Sequence, residues 1–264
     1  MAMDGASLSP PPTPGRGAPS NRLSQRFGLN QAEWDGDWLD AMPLVDGLAP
    51  RVRTEVTTDH PRTFISRNAS PDIGFDRSIN AYRGCEHGCI YCYARPTHAY
   101  LDLSPGIDFE TRLFAKPEAA ALLRKELAAP GYRVAPLAIG TNTDPYQPVE
   151  REWGITRQIL EVMLETRHPL LITTKSDRIV RDLDLLEQMA ALNLVYVAIS
   201  VTSLDAELAR KLEPRAPHPA KRLQAIGALA AAGVPVQVNV SPIIPCLTDQ
   251  DLEAILAQAA KTGA

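Results

Sequence analysis

The stretch SINAYRGCEHGCIYCYARPTHAY, residues 78–100, decides the fold. It opens as a short extended apolar run and breaks at Gly84 into a loop carrying Cys85, Cys89 and Cys92. Thiolates are soft ligands, so three of them with gaps of three and two residues can face one metal centre. Gly84 and Gly88 let the backbone turn tightly around it. A [4Fe–4S] cluster held by protein alone takes four cysteines, so three leave one iron open to an outside ligand. Spacing alone also admits a zinc site, with His87, His98 or Cys246 as fourth ligand, or simply buried structural thiols. His87, His98 and His218 stand in no pattern of their own.

Downstream of this loop, apolar β-branched runs alternate with amphipathic ones. The pattern predicts strands at 78–82, 137–139, 170–173, 195–200 and 236–240. It predicts helices near 117–128, 154–166, 181–192, 218–232 and 249–261, with Gly233 and Gly263 as stops. Such alternation implies a parallel sheet with right-handed crossovers, whose strand ends collect the functional loops on one side. Those loops read YRGCEHGCIYC, GTNTDPYQPVE, TKSD, SVTSLD and SPIIPCLTD. They hold nearly all the chemically unusual residues.

Upstream, residues 1–20 are rich in Pro, Ser, Gly and Ala and predict a disordered tail. Residues 21–77 predict an extension packed on the core, with Trp34, Trp38 and Leu39 on one short helical face and one or two strands in 51–67. The core is then 78–264. Across 264 residues the hydrophobic share is 45% and the charged share 22%, which fits a globular chain and excludes fibrous or wholly disordered classes. No apolar run reaches the roughly 20 residues that span a bilayer. With clustered cysteines and no export signal, the expected compartment is the cytoplasm, with no membrane partner. A net charge of -4 argues against a purely electrostatic nucleic-acid binder.

The motif CxxxCxxC, with Tyr91 between the last two cysteines, resembles the signature of the radical S-adenosylmethionine superfamily. SINAYRGCEHGCIYCYARPTHAY, GTNTDPYQPVE, TTKSD and LEPRAPHPAKRLQAI resemble its spore photoproduct lyase-like branch, and GRGAPSNRLSQRF resembles the start of those proteins. The resemblance implies an α/β fold, a partial (β/α)6-type barrel with about five of six strand–helix units and a poorly ordered N-terminal extension. It implies a [4Fe–4S] cluster on Cys85, Cys89 and Cys92 that chelates S-adenosylmethionine at its open iron. Reductive cleavage would then give a 5′-deoxyadenosyl radical that takes hydrogen from substrate. The implied electron donor is a reduced flavodoxin or ferredoxin, and the implied substrate a nucleic-acid base. Thr143 and Asp144 would meet the methionyl amino group, and Lys175 and Ser200 its carboxylate. Tyr91 and Tyr93 would flank the adenosyl part, and Glu213 and Arg215 would reach ribose or substrate. Taken singly, these residues also read as a turn, a surface lysine, core aromatics and a local surface ion pair.

Two departures qualify the resemblance. Where spore photoproduct lyase has a hydrogen-donating cysteine, this chain has Thr141, whose O–H is a far poorer hydrogen-atom donor than a thiol. Cys246 is the remaining candidate for that role, or for a fourth ligand, or an inert residue, in a loop that commonly reads Pro-Gly in the branch. The chain also stops after the fifth strand–helix unit, which predicts a C-terminally truncated barrel with an open edge. The alternatives are a non-catalytic zinc- or cluster-stabilised nucleic-acid-binding module, or a truncated protein that binds the cluster without turnover.

Overall fold

The computed structural model describes residues 52–264, with Gly15 apart from them. The rest of the expected tail and the Trp34–Trp38–Leu39 face lie outside the described residues. The chain runs β1 (Glu55–Thr58), β2 (Ser66–Arg67), β3 (Arg77–Ile79) and β4 (Tyr82–Arg83). A 3-10 segment, Arg95–Leu101, leads to α1 (Asp108–Thr111), β5 (Arg112–Ala115) and α2 (Ala119–Leu127). Then come β6 (Leu137–Ile139), α3 (Glu150–Trp153), α4 (Ile155–Glu165), β7 (Leu170–Thr174) and α5 (Leu183–Ala191). The last elements are β8 (Val195–Ser200), α6 (Ala206–Leu212), α7 (Pro219–Ala231), β9 (Val236–Asn239) and α8 (Leu252–Thr262).

Among the described residues the main sheet has six strands in the order β2-β3-β6-β7-β8-β9. β2 pairs antiparallel with β3, and every other pair is parallel. β1, β5 and β4 form a smaller sheet. The architecture is a partial barrel of strand–helix units, as the resemblance implies, and its sheet is mainly parallel, as the alternation predicts. Ile139, Ile172, Val197 and Ile199 on the strands pack in one core with Leu160 of α4, Leu186 of α5, Ile226 of α7 and Ile255 of α8. β6 is buried throughout, as expected of a strand covered on both faces. β9 ends the sheet and is only half-buried.

The single strand expected at 78–82 is two strands, because the chain changes sheets at Asn80 and Ala81. The Asn80 carbonyl accepts a 2.8 Å hydrogen bond from Lys116 Nζ, and the Ala81 carbonyl accepts the Lys116 N–H at 3.1 Å. These backbone groups are therefore spent on the end of β5 instead of on the main sheet. The Lys116 ammonium also lies 5.6 Å from the Phe64 ring centre, and burial lowers its pKa to about 8. The sequence pattern missed β5, whose four residues are too few to show a period. It also missed α6, although Asp205 was a legible start signal. The Asp205 carboxylate accepts the N–H groups of Glu207 at 2.8 Å and Leu208 at 3.2 Å. α7 is capped by His218, whose Nδ1 accepts the Ala220 N–H at 3.1 Å, with Pro219 at the first helical position.

Candidate active site

The loops leaving β4, β6, β7 and β8 meet at the carboxyl ends of the parallel strands, where α/β sheets bind ligands. The cysteine loop is pinned at its base by the Cys85 N–H, which donates to the Phe109 carbonyl at 2.9 Å. Gly84 makes this approach feasible. Its φ is +78, and a Cβ there would stand 2.8 Å from the Phe109 carbonyl oxygen and 2.9 Å from His98. The Gln147 amide bridges the loop, accepting the Glu86 N–H at 2.8 Å and donating to the Gly84 carbonyl at 3.2 Å. Farther on, the Ile90 N–H donates to the Leu212 carbonyl at 3.0 Å and the Arg215 N–H to the His87 carbonyl at 3.2 Å. Residues 212–215 therefore lie along the loop.

Cys85 and Cys89 are buried and Cys92 is partly so. Burial pushes the Cys85 thiol well up and the Cys89 thiol to about 12. A bound metal centre reverses that preference, because its charge stabilises thiolates. Among the described residues no three His, Cys, Asp or Glu side chains converge on a point for a single ion. A cubane cluster asks for something else: each thiolate binds its own iron, so the sulfurs ring a space. Three soft thiols on one short loop, two of them withdrawn from water, suit it.

Asp144 ties three loops together. One carboxylate oxygen accepts the Tyr146 N–H at 2.9 Å and the Thr174 hydroxyl at 2.6 Å. The other accepts the Lys175 N–H at 2.7 Å and lies 3.3 Å from His87 Nδ1. Burial opposes its charge, but His87 and these donors outweigh it and hold the carboxyl at about 2. Thr143 is buried, and its hydroxyl donates to the Tyr82 carbonyl at 3.1 Å.

Glu213 is the second hub. It accepts the Tyr91 hydroxyl and, at 2.7 Å, the Thr202 hydroxyl, and it pairs with the fully buried Arg222. Arg222 also donates to the Ser200 carbonyl at 3.1 Å and the Pro217 carbonyl at 2.8 Å. Burial raises the Glu213 pKa, but Arg222 and Lys175 overcome this and the net direction is down. The local surface ion pair envisaged for Glu213 and Arg215 does not form. Glu213 turns inward, while Arg215 pairs with Glu86 at 3.1 Å and Glu86 also accepts the Thr54 hydroxyl at 2.6 Å.

Lys175 stands between the two hubs. Its ammonium is 3.9 Å from Glu213, too long for a hydrogen bond, and 5.7 Å from the centre of the Tyr91 ring. Burial disfavours its charge, but Cys89 and Glu213 more than compensate. Tyr93 is 75% exposed and donates its hydroxyl to the Thr141 carbonyl. Ser200 is buried at the end of β8. Cys246 is exposed on a left-handed backbone with φ 62. Gln147, Thr202 and Arg222 stood inside quoted stretches without being singled out, and His87 was named only as a possible fourth ligand of a zinc site, since a single sequence does not mark which residue has its partner far along the chain.

Residues 79–259 match the family model described as the radical SAM superfamily. An uncharacterized protein of Mycobacterium tuberculosis is 44% identical over 194 residues, which cover 73% of this chain and 57% of that protein. Another, from Methanocaldococcus jannaschii, is 29% identical over 171 residues, 65% of this chain and 61% of its own length. Spore photoproduct lyase complexed with dinucleoside spore photoproduct superposes with a TM-score of 0.60 at 16% identity, over 78% of this chain and 57% of that one. A structure of a variant of the same lyase with bound AdoMet gives the same TM-score of 0.60. At such identity the likeness is one of fold. The chain thus spans a little over half the length of the mycobacterial relative and of the lyase. With most of its length matched by the family model, the chain belongs to the radical SAM superfamily.

Proposed function

We propose that the protein is a radical S-adenosylmethionine enzyme that holds a [4Fe–4S] cluster on Cys85, Cys89 and Cys92. The observation that carries this reading is the Lys175 ammonium, which lies beside Tyr91 and Glu213 with no hydrogen-bond acceptor from either, next to the cysteine loop. Among the described residues this ammonium makes no hydrogen bond, only a loose 3.9 Å ion pair with Glu213, and so suits a carboxylate such as the methionyl one. When bound, the cluster and S-adenosylmethionine supply the electron and the cleavable sulfonium bond that yield 5′-deoxyadenosine after hydrogen abstraction.

The chain's own residues bind and orient. Lys175 would take the carboxylate, and Ser200, buried at the end of β8, is the second residue assigned to it. Tyr91 and Tyr93 wall the adenosyl side. Thr143 and Asp144 face the methionyl amino group through their loop, although the Asp144 oxygens already accept several donors, so its first task is to hold the loops in place. Glu213 likewise orients Tyr91 and Lys175, and Arg215 fastens the cysteine loop through Glu86. Cys246 has no step in this reading.

The substrate class proposed is a nucleic-acid base, supported by the fold likeness to spore photoproduct lyase and by nothing nearer. Thr141 argues against hydrogen return by a thiol at that position. A reduced flavodoxin or ferredoxin in the cytoplasm would supply the electron. No helix of the described residues is long and apolar enough to cross a membrane.

The test is anaerobic reconstitution with iron and sulfide, then dithionite and S-adenosylmethionine, with 5′-deoxyadenosine measured by mass spectrometry. Formation by the wild type and its loss in Cys89→Ala are expected. A colourless protein that retains zinc would overturn the reading.

A further inference from the structure

We infer that Gln147 is a positioning residue for the cluster: its amide staples the backbone on both sides of Cys85 and so sets where that ligand sulfur stands. This rests on the reading of the cysteine loop as the cluster carrier. Gln147 is fully buried. Its Oε1 accepts the Glu86 N–H at 2.8 Å, and its Nε2 donates to the Gly84 carbonyl at 3.2 Å. A buried glutamine that satisfies loop backbone is ordinary. The register is the informative part, because the two ends of one amide fall one residue before and one residue after a cluster ligand. The staple is itself rooted: the Gln147 carbonyl accepts the Glu150 N–H at 3.0 Å, at the start of α3.

What the staple holds in place has chemical weight. The backbone N–H groups of Asp144 and His87 face the Cys85 sulfur and favour its thiolate. Asp144 belongs to the same loop as Gln147, whose own N–H donates to the Asp144 carbonyl at 3.4 Å, and its carboxylate lies 3.3 Å from His87 Nδ1. The loop after β6 therefore grips residues 84–87 at several points, one of which is the sulfur. Donors aimed at a ligand sulfur stabilise negative charge, so they favour the reduced cluster and raise its potential. The other half of the cysteine loop is held separately. Arg95 donates to the Cys89 carbonyl at 3.0 Å, while its remaining nitrogens go to the Gly106 carbonyl at 3.0 Å and the buried Glu110 at 2.5 Å. Loss of the Gln147 amide alone thus frees the Cys85 end and leaves Cys89 pinned. Its consequence is a looser, lower-potential cluster in a chain that still folds.

The experiment uses the full chain and Gln147→Met, which keeps the length of the side chain and removes both hydrogen bonds. The control is Tyr132→Phe, which removes a hydrogen bond to His168 at the opposite ends of β6 and β7. Three quantities are read: hydrogen exchange of the metal-free chain by mass spectrometry, iron release from the reconstituted protein to a chelator, and the midpoint potential from a redox titration followed by electron paramagnetic resonance. In Gln147→Met, exchange over 84–88 is expected to quicken about tenfold or more, with 92–97 within about twofold of wild type. Iron release should quicken about tenfold or more, and the potential should fall. Tyr132→Phe should match the wild type within about twofold in iron release and hold its potential. If Gln147→Met loses its far-ultraviolet circular dichroism, Gln147→Asn, too short to reach both backbone groups, is read on the same scales. Unaltered exchange over 84–88 would overturn the proposal. So would quickened exchange with an unaltered or higher potential, which would make the staple a fold contact only. A wild type that assembles no cluster would strike at the enzyme reading instead, while the metal-free exchange would still decide whether Gln147 holds the loop.

Discussion

The β6–β7–β8 end of the sheet and the β9 end are built from the same strand–helix unit yet finished differently. At the first, loops are cross-linked by buried polar groups: Asp144 gathers Tyr146, Thr174, Lys175 and His87 from three loops, and Glu213 gathers Tyr91, Thr202 and Arg222. At the second, β9 is half-buried, has no strand beyond it among the described residues, and leads into a loop that exposes Ile243, Cys246 and Leu247. The contrast separates what the repeating pattern supplies from what chemistry demands. Apolar periodicity suffices to lay down a strand and its helix. The loop end adds buried ions gathered from several loops, which cost stability unless each is paired, and the chain pairs its other buried ions too, Glu150 with Arg181 and Glu110 with Arg95.

Four experiments would break or sharpen this contrast. The largest effect is expected at the cysteine loop, where Cys89→Ala should reduce 5′-deoxyadenosine to background. Appreciable product from that variant would mean that the dense end is not the reacting end. Next, Arg222→Met leaves the buried Glu213 without its main partner and should cost about 3–5 kcal/mol in chemical denaturation. A loss below about 1 kcal/mol would show that the hub is far less tightly coupled than its geometry indicates.

Third is a pH effect at Lys116. Its folded pKa, about 8, lies below the ordinary 10.5, so between these values the unfolded chain binds more protons. Stability from this group should therefore rise as pH climbs from about 8 toward 10.5. Lys116→Met should flatten that part of the stability curve, and an unaltered slope would contradict the assignment. The smallest effect belongs to the β9 end. Cys246 occupies a left-handed backbone position, so Cys246→Gly should stabilise by roughly 1 kcal/mol and leave 5′-deoxyadenosine formation unaltered. A fall in product would give this thiol a catalytic part.

The sequence revealed its long elements because each repeats a period over enough residues. In α7, Leu223, Ile226 and Leu229 all reach the core, and Gly233 follows its end with φ 71. β5 and the break at Asn80 were invisible, since they depend on where the Lys116 ammonium and distant backbone groups meet. The cysteine spacing was legible because its three residues are local. The hubs were half legible: Asp144, Lys175 and Glu213 were singled out in their motifs, but Arg222 shared Glu213's motif without a role and His87 was named only as a possible zinc ligand. The loop position held by Cys246 gains its meaning from the backbone, where the branch's common glycine matches the left-handed geometry.

Where β6 ends, Gly140 has φ +90, and a Cβ there would run into the Thr173 carbonyl of β7. Both strands hand their chains to the loops that carry Asp144 and Lys175 at this crossing. In genetic terms, any missense change at this codon should behave as a loss-of-function allele rather than a graded one, and its suppressors should arise in the neighbouring backbone of β7 rather than among the residues that carry the chemistry.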